Sequence, residues 1–256
     1  MKEIGNYNGG KSGSGTYQQI INLIPPHGIY LEPFAGHGGI FRKKRYAALS
    51  ILNDLNKEVT DRWLKLKIPD CIVYENLQQG YLFEKESKPI VIVKNGSYEK
   101  VLDKFINNPQ AFIYIDPPYV MNARKSQQRL YKFEWETDDQ HIELFSKIDN
   151  AVSAVMISSN INPLYESMYK HWHCHKFKSM TRAGMADEII YMNYKPPEVL
   201  HDVQYLGNNY RQRDNIKRKM KRWRERLQRL PQQEKIALLS DIINTFKETS
   251  EKIIQL

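Results

Sequence analysis

A chain of 256 residues has room for one large domain and an appendage, and 38 Lys+Arg against 29 Asp+Glu give it a formal charge of +9, which favours an anionic partner. Cys71 and Cys174 lie far apart and form no CxxC pair, which argues against a disulfide-stapled scaffold and for a reducing, cytoplasmic setting. The N-terminus MKEIGNYNGG lacks an apolar leader core, and no run of about 18 apolar residues occurs, so no membrane partner is expected.

Residues 5–15 (GNYNGGKSGSG) read as a glycine-rich loop, followed by a helical pattern at Tyr17, Ile20, Ile21 and Ile24 that Pro25-Pro26-His27-Gly28 stops. Gly28–Phe34 reads as a strand entering Ala35-Gly36-His37-Gly38-Gly39 and a short helix. Ala48–Asn53 is a second strand, closed by Asp54 and followed by a helix through Val59, Trp63 and Leu66. Residues 69–110 show only short apolar runs such as Ile90–Val93. An apolar strand, Ala111–Ile115, then ends at Asp116-Pro117-Pro118-Tyr119. A polar, basic loop (120–136), a helix around 137–148, a strand at Ala151–Ile157, a helix near Pro163–Lys170 and strands at 171–178 and 187–194 complete the pattern. Strands alternating with helices predict an α/β domain with a doubly wound, mostly parallel sheet over 1–195.

Pro196-Pro197 marks a boundary before a C-terminal extension, 196–256. Ile216, Met220, Trp223, Leu227 and Leu230 recur at spacings of 4, 3, 4 and 3, which predicts an amphipathic helix. Ile236, Leu239, Ile243 and Phe246 predict a second helix after Pro231, giving a helical hairpin with a basic outer face. Its apolar stripe is expected to pack on the core or on a second copy, in which case the protein is a dimer through these helices.

Asp116-Pro117-Pro118-Tyr119 is the most informative run. The prolines fix φ and remove two backbone donors, which leaves the carboxylate and the neighbouring carbonyls as an acceptor-only surface beside one aromatic ring. Such a surface suits a planar molecule with an amino group, such as a base with an exocyclic amine. Glu32-Pro33-Phe34-Ala35-Gly36-His37-Gly38-Gly39 sits where a strand turns into a helix, and Asp54 ends the next strand about 20 residues on, the arrangement by which α/β folds hold a nucleotide and its ribose. Gly5 to Ser12 also fits a phosphate-loop expression, but only Met1–Ile4 precede it, too few for the central strand that such a loop must follow.

Taken together, these motifs resemble the Dam-type DNA adenine methyltransferases, especially the phage-encoded branch. The likeness runs over residues 5–195 in that group's order and extends to Asn122–Tyr131, Val155–Asn160 and Asp187–Tyr194. The resemblance implies a Rossmann-like methyltransferase fold with one late antiparallel strand, S-adenosyl-L-methionine as cofactor and double-stranded DNA as partner. It implies methyl transfer to N6 of a flipped-out adenine in a bacterial or phage setting. Tyr7, Lys11, Glu32, Phe34, Gly36, Asp54 and Asp116 would border the cofactor, and Asp116, Pro117, Pro118 and Tyr119 would form the catalytic tetrad. Asp rather than Ser at the head of the tetrad favours adenine over cytosine N4. Two departures stand out: only 69–110 is available for a target-recognition insert, and Tyr7 replaces the tryptophan of Dam. The alternatives are another nucleic-acid amine, at cytosine N4 or in RNA, and a catalytically silent DNA-binding protein.

For DNA contact the expected residues are Arg124, Lys125 and Arg129 after the tetrad, and Lys217, Arg218, Lys221 and Arg222 on the C-terminal helix. His171, His173 and His175 alternate along one predicted strand face, but without supporting carboxylates they predict no metal site, and Trp172 and Cys174 are expected to turn inward. His37 reads as a loop residue.

Overall fold

The structure, a computed structural model, describes residues 11–13, 15–76, 88–121, 132–181 and 184–254. Its first elements are α1 (Thr16–Ile21), β1 (Ile29–Glu32), β2 (Leu49–Asp54), α2 (Lys57–Lys65), β3 (Ile72–Glu75), β4 (Ile90–Asn95), α3 (Tyr98–Phe105) and β5 (Ala111–Ile115). There follow α4 (Asp138–Ile148), β6 (Ala154–Asn160), α5 (Pro163–Met168), β7 (His173–Thr181), β8 (Gly184–Met192), α6 (Tyr210–Arg229), α7 (Gln232–Thr245) and α8 (Lys247–Ile254).

The eight strands form one sheet in the order β3-β4-β2-β1-β5-β6-β8-β7. Strands β3, β4, β2, β1, β5 and β6 pair in parallel, and β8 pairs antiparallel with both β6 and β7, so β8 alone runs against the rest. The expected fold, a Rossmann-like sheet with one reversed strand, is what the chain adopts. Runs such as Ile90-Val91-Ile92-Val93 and Ala111–Ile115 are apolar at every position because both faces of a parallel sheet are covered. Alternation divides them: Leu31, Ile51, Ile113, Val155 and Ile157 enter one core, whereas Tyr30, Leu52, Phe112, Tyr114 and Met156 enter the other.

Strand order reverses about β1, whose neighbours are β2 on one side and β5 on the other. At such a switch point the connections leave in opposite directions and open a crevice beyond the carboxyl ends of the strands. The register Leu49↔Ile29↔Ala111 brings Glu32, Asp54 and Asp116 to that one rim.

The span 69–110, read as a possible insert, contributes β3, β4 and α3 to the sheet and its helical layer. Residues 77–87 lie outside the described residues. β6 starts three residues later than the sequence pattern predicted, because Val152 and Ser153 donate their N–H groups to Ile106 O and not to a strand. Cys174 is a correction as well. It is exposed, and Trp172 is the residue that turns inward.

The chain after Pro196-Pro197 first returns to the core. Leu200, His201 and Asp202 are buried. His201 Nε2 lies 3.0 Å from Arg45 O, Arg45 N donates to Asp202 at 2.8 Å, Asn22 donates to Tyr205 O at 2.8 Å, and Tyr205 donates to Lys43 O. Beyond Gly207 the three helices α6, α7 and α8 follow. Neither α6 nor α7 buries a side chain, so the apolar stripe does not pack on the core as expected: Trp223 is 60% and Phe246 59% exposed. Among the described residues no helix is long and apolar enough to cross a membrane.

Candidate active site

A cavity of about 280 Å³ opens at the switch point, lined by Lys11, Glu32, Phe34, Gly36, Asp54, Tyr98, Asp116 and Trp135 among others. Six of the seven residues expected to border a cofactor therefore meet in one place; Tyr7 lies outside the described residues.

The loop after β1 is shaped by its glycines. Gly38 has φ +56°, and a Cβ there would run into the indole of Trp63; a Cβ on Gly39 would press to 3.0 Å from the backbone N of Ser12. The second close approach is what seats Lys11 beside the loop. Trp63 donates its indole N–H to Gly36 O at 3.0 Å. Asp54 fastens the loop from the other side: Oδ2 accepts Gly36 N at 2.8 Å and Oδ1 accepts Asn56 N at 2.8 Å. Burial raises the Asp54 carboxyl, and these two N–H donors oppose the shift. Capping of α2 falls to Asn56, which accepts Glu58 N, so Asp54 is left for the cavity.

Asn53, which sequence reasoning missed, is 1% exposed and donates to Pro33 O at 3.0 Å and Gly96 O at 2.9 Å, joining the loops after β1 and β4. An Asn at the end of a strand, one residue before the expected acid, was the available signal. Glu32 is buried and accepts from Tyr30 at 2.9 Å; burial holds its carboxyl well above the usual range. Phe34, Tyr98 and Trp135 form an aromatic wall, with ring centroids 5.1–5.8 Å apart.

Asp116 stands at the end of β5 with 20% of its side chain exposed. Its Oδ1 accepts Ser158 Oγ–H at 2.7 Å and faces Lys11 Nζ at 3.2 Å; among the described residues none bonds Oδ2. Burial raises the Asp116 carboxyl above the usual range, and Lys11 and Ser158 pull it back. Lys11 is 4% exposed, donates to the Tyr119 hydroxyl and lies 3.3 Å from Glu188 Oε2. Burial alone would depress Lys11, but Asp116, Tyr119 and Glu188 outweigh it and hold it well above its ordinary value, fully charged. Tyr119 has the Lys11 ammonium 4.7 Å from its ring centre and donates to Glu188 at 3.3 Å. Pro117 is buried and Pro118 lines the cavity. Ser158 and Glu188 were read only as parts of longer stretches, not as site residues.

The remaining expected residues do not gather here. Arg124, Lys125 and Arg129 lie outside the described residues. Lys217, Arg218, Lys221 and Arg222 are exposed on α6, where Arg218 pairs with Asp214 at 2.7 Å and Lys221 with Glu225 at 3.8 Å. His171 engages Asp149 and His175 engages Gln19, on separate elements.

Sheet order and rim define the class of fold, a Rossmann-like α/β sheet with its cavity at the switch point. Residues 72–183 match the family model of the D12 class N6 adenine-specific DNA methyltransferases, which bears out the resemblance over that segment. Type II methyltransferase M1.LlaDCHI from Lactococcus lactis subsp. cremoris is 29% identical over 144 residues, 52% of this chain and 48% of that protein, so the match spans about half of each. Among solved structures, M. capricolum TrmK with S-adenosyl-homocysteine is 13% identical over 93% of this chain and 97% of its own, with a TM-score of 0.42. Protein LPL1258 from Legionella pneumophila is 12% identical over 74% and 86%, with a TM-score of 0.46. Likeness that remote carries no argument; the strand order carries the fold. Methyltransferases of the matched family use S-adenosyl-L-methionine, and the cavity fits it: aromatic walls for an adenine, Asp54 for ribose hydroxyls and buried carboxylates for a cationic centre.

Proposed function

We propose that this chain transfers a methyl group from S-adenosyl-L-methionine to the exocyclic N6 of adenine in double-stranded DNA. The observation that carries the reading is the split use of Asp116, which lines the cavity: Oδ1 is held by Ser158 and Lys11, while no described residue bonds Oδ2. Phe34, Tyr98 and Trp135 would hold the cofactor's base, Asp54 its ribose, and the bound cofactor supplies an electrophilic methyl. Oδ2 and the Pro117 carbonyl would accept the two amine N–H groups, which localises the nitrogen lone pair; Asp116 then takes the proton that the nitrogen sheds. A duplex hides N6, so the base must leave the stack, at a cost of a few kcal/mol. The exposed cations of α6 and the residues Arg124, Lys125 and Arg129 would neutralise phosphates along the strand. Incubation with tritiated cofactor and duplex DNA, followed by digestion to nucleosides, tests the reaction: label should appear in N6-methyladenine. Asp116→Ala should abolish transfer while cofactor binding stays close to wild type. Label in another nucleoside, or wild-type-like turnover of the variant, would overturn the reading.

A further inference from the structure

Glu188 has no part in the reaction as described, yet it is 8% exposed and sits where three tethers meet. Its Oε1 accepts Ser179 Oγ–H at 2.7 Å, and its Oε2 accepts Tyr119 O–H at 3.3 Å and faces Lys11 Nζ at 3.3 Å. Register fixes this meeting: Glu188 opposes Asn160, the last residue of β6, so β8 brings it to the rim that carries Asp116.

Within that rim one ammonium serves two carboxylates at nearly equal distances, 3.2 Å to Asp116 and 3.3 Å to Glu188. Lys11 also donates to Tyr119, so among the described residues it engages three oxygens. If one carboxylate were neutral, the ammonium would close on the other. We infer that Glu188 is a positioning residue: it holds Lys11 partway off Asp116 and fixes the Tyr119 hydroxyl, so that Asp116 keeps acceptor capacity for the amino group of the substrate. The claim rests on the adenine reading above for its substrate but on the Lys11–Asp116–Glu188 geometry for its substance. The charged or titratable groups facing Asp116 among the described residues are Lys11, Glu188, Tyr119, Tyr114, Glu32, Tyr30 and Tyr165, from the N-terminal segment, β8, the tetrad, β5, β1 and α5. Lys11 favours the ionised carboxylate and Glu188 opposes it.

Glu188→Gln keeps the shape and removes the charge. The carbon-13 carboxyl signal of Asp116, assigned by its loss in Asp116→Asn, should titrate at lower pH in Glu188→Gln than in wild type, because a repelling charge is gone and Lys11 is closer. Glu188→Asp, which keeps the charge, should leave the midpoint near that of wild type. With duplex DNA, kcat of Glu188→Gln should fall about tenfold or more while cofactor Kd holds within about twofold. An unmoved Asp116 midpoint would overturn the positioning role, as would an unchanged kcat. A loss of fold or of cofactor affinity in parallel with kcat would make Glu188 merely structural and would overturn it too. Wild-type protein that methylates no nucleic acid would sink the adenine reading instead, and the titration would then decide the role of Glu188 by itself.

Discussion

Behind the wall that carries Glu32, the Lys44 ammonium is buried over the ring of Tyr30, 4.1 Å from its centre, and donates to Arg45 O at 2.9 Å. Its neighbour across the cluster is His27, 3.3 Å away, stacked on His201 at 3.8 Å. Burial depresses both imidazoles, His201 to about 3, so neither adds a positive charge at neutral pH. Burial also lowers Lys44 from 10.5 to about 7, against the pull of Glu32 and Asp202. Between about 7 and 10.5 the unfolded chain keeps a proton on this lysine that the folded chain has released, so folding gains stability as pH rises through that window. The slope approaches about 1.4 kcal/mol per pH unit. Lys44→Met should remove that contribution: urea midpoints of wild type and variant, measured at pH 7, 8 and 9, should draw apart in favour of wild type as pH rises. Parallel curves would mean that Lys44 stays charged in the fold.

At the scale of elements, the turn after β1 and the helix α2 hold one another. Gly38 lies in the left-handed region against Trp63, and the Trp63 indole is what binds Gly36 O. Gly38→Ala should therefore cost about 1–2 kcal/mol in backbone strain before any displacement of the indole is counted. Because that displacement loosens the loop, cofactor affinity should fall with stability; urea titration and equilibrium binding check the two together. The elements also show why part of the site was legible in the sequence and part was not. On a parallel strand the rim residue follows the apolar run, as in Ile29-Tyr30-Leu31-Glu32, Ile51-Leu52-Asn53-Asp54 and Ile113-Tyr114-Ile115-Asp116, so these acids stood out. β8 runs the other way, and its rim residue Glu188 precedes Ile189-Ile190-Tyr191-Met192, where a search for acids after strands does not look. Ser158 lies inside β6 and reads as strand filling. Only three-dimensional pairing puts its hydroxyl on Asp116. β3 and α3 were missed because four and eight residues of mixed polarity give periodicity too little length to act on.

Across the whole molecule, charge is unevenly shared. α6 alone carries ten Lys/Arg against Asp214 and Glu225, and its side chains are unburied. Exposed pairs such as Arg218–Asp214 contribute roughly 0–1 kcal/mol and yield readily to a phosphate. Removing the helices should spare the catalytic body, provided the cut falls after Gly207, because Leu200, His201 and Asp202 belong to the core. A chain ending at Gly207 should keep its cofactor affinity but bind duplex more weakly. The slope of log K against log salt should flatten by about 0.9 for each phosphate that the helices no longer neutralise. An unchanged slope would remove α6 from the DNA interface. The root of these helices has a mechanical meaning of its own. Arg213 donates to Gly207 O, Asn22 reaches both Tyr205 O and Gly207 O, and Arg45 N donates to Asp202, so the segment from which the arm grows is fastened to Asn22 and Arg45. A load on the helices is therefore delivered first to Asn22 and Arg45, through a strap of six residues.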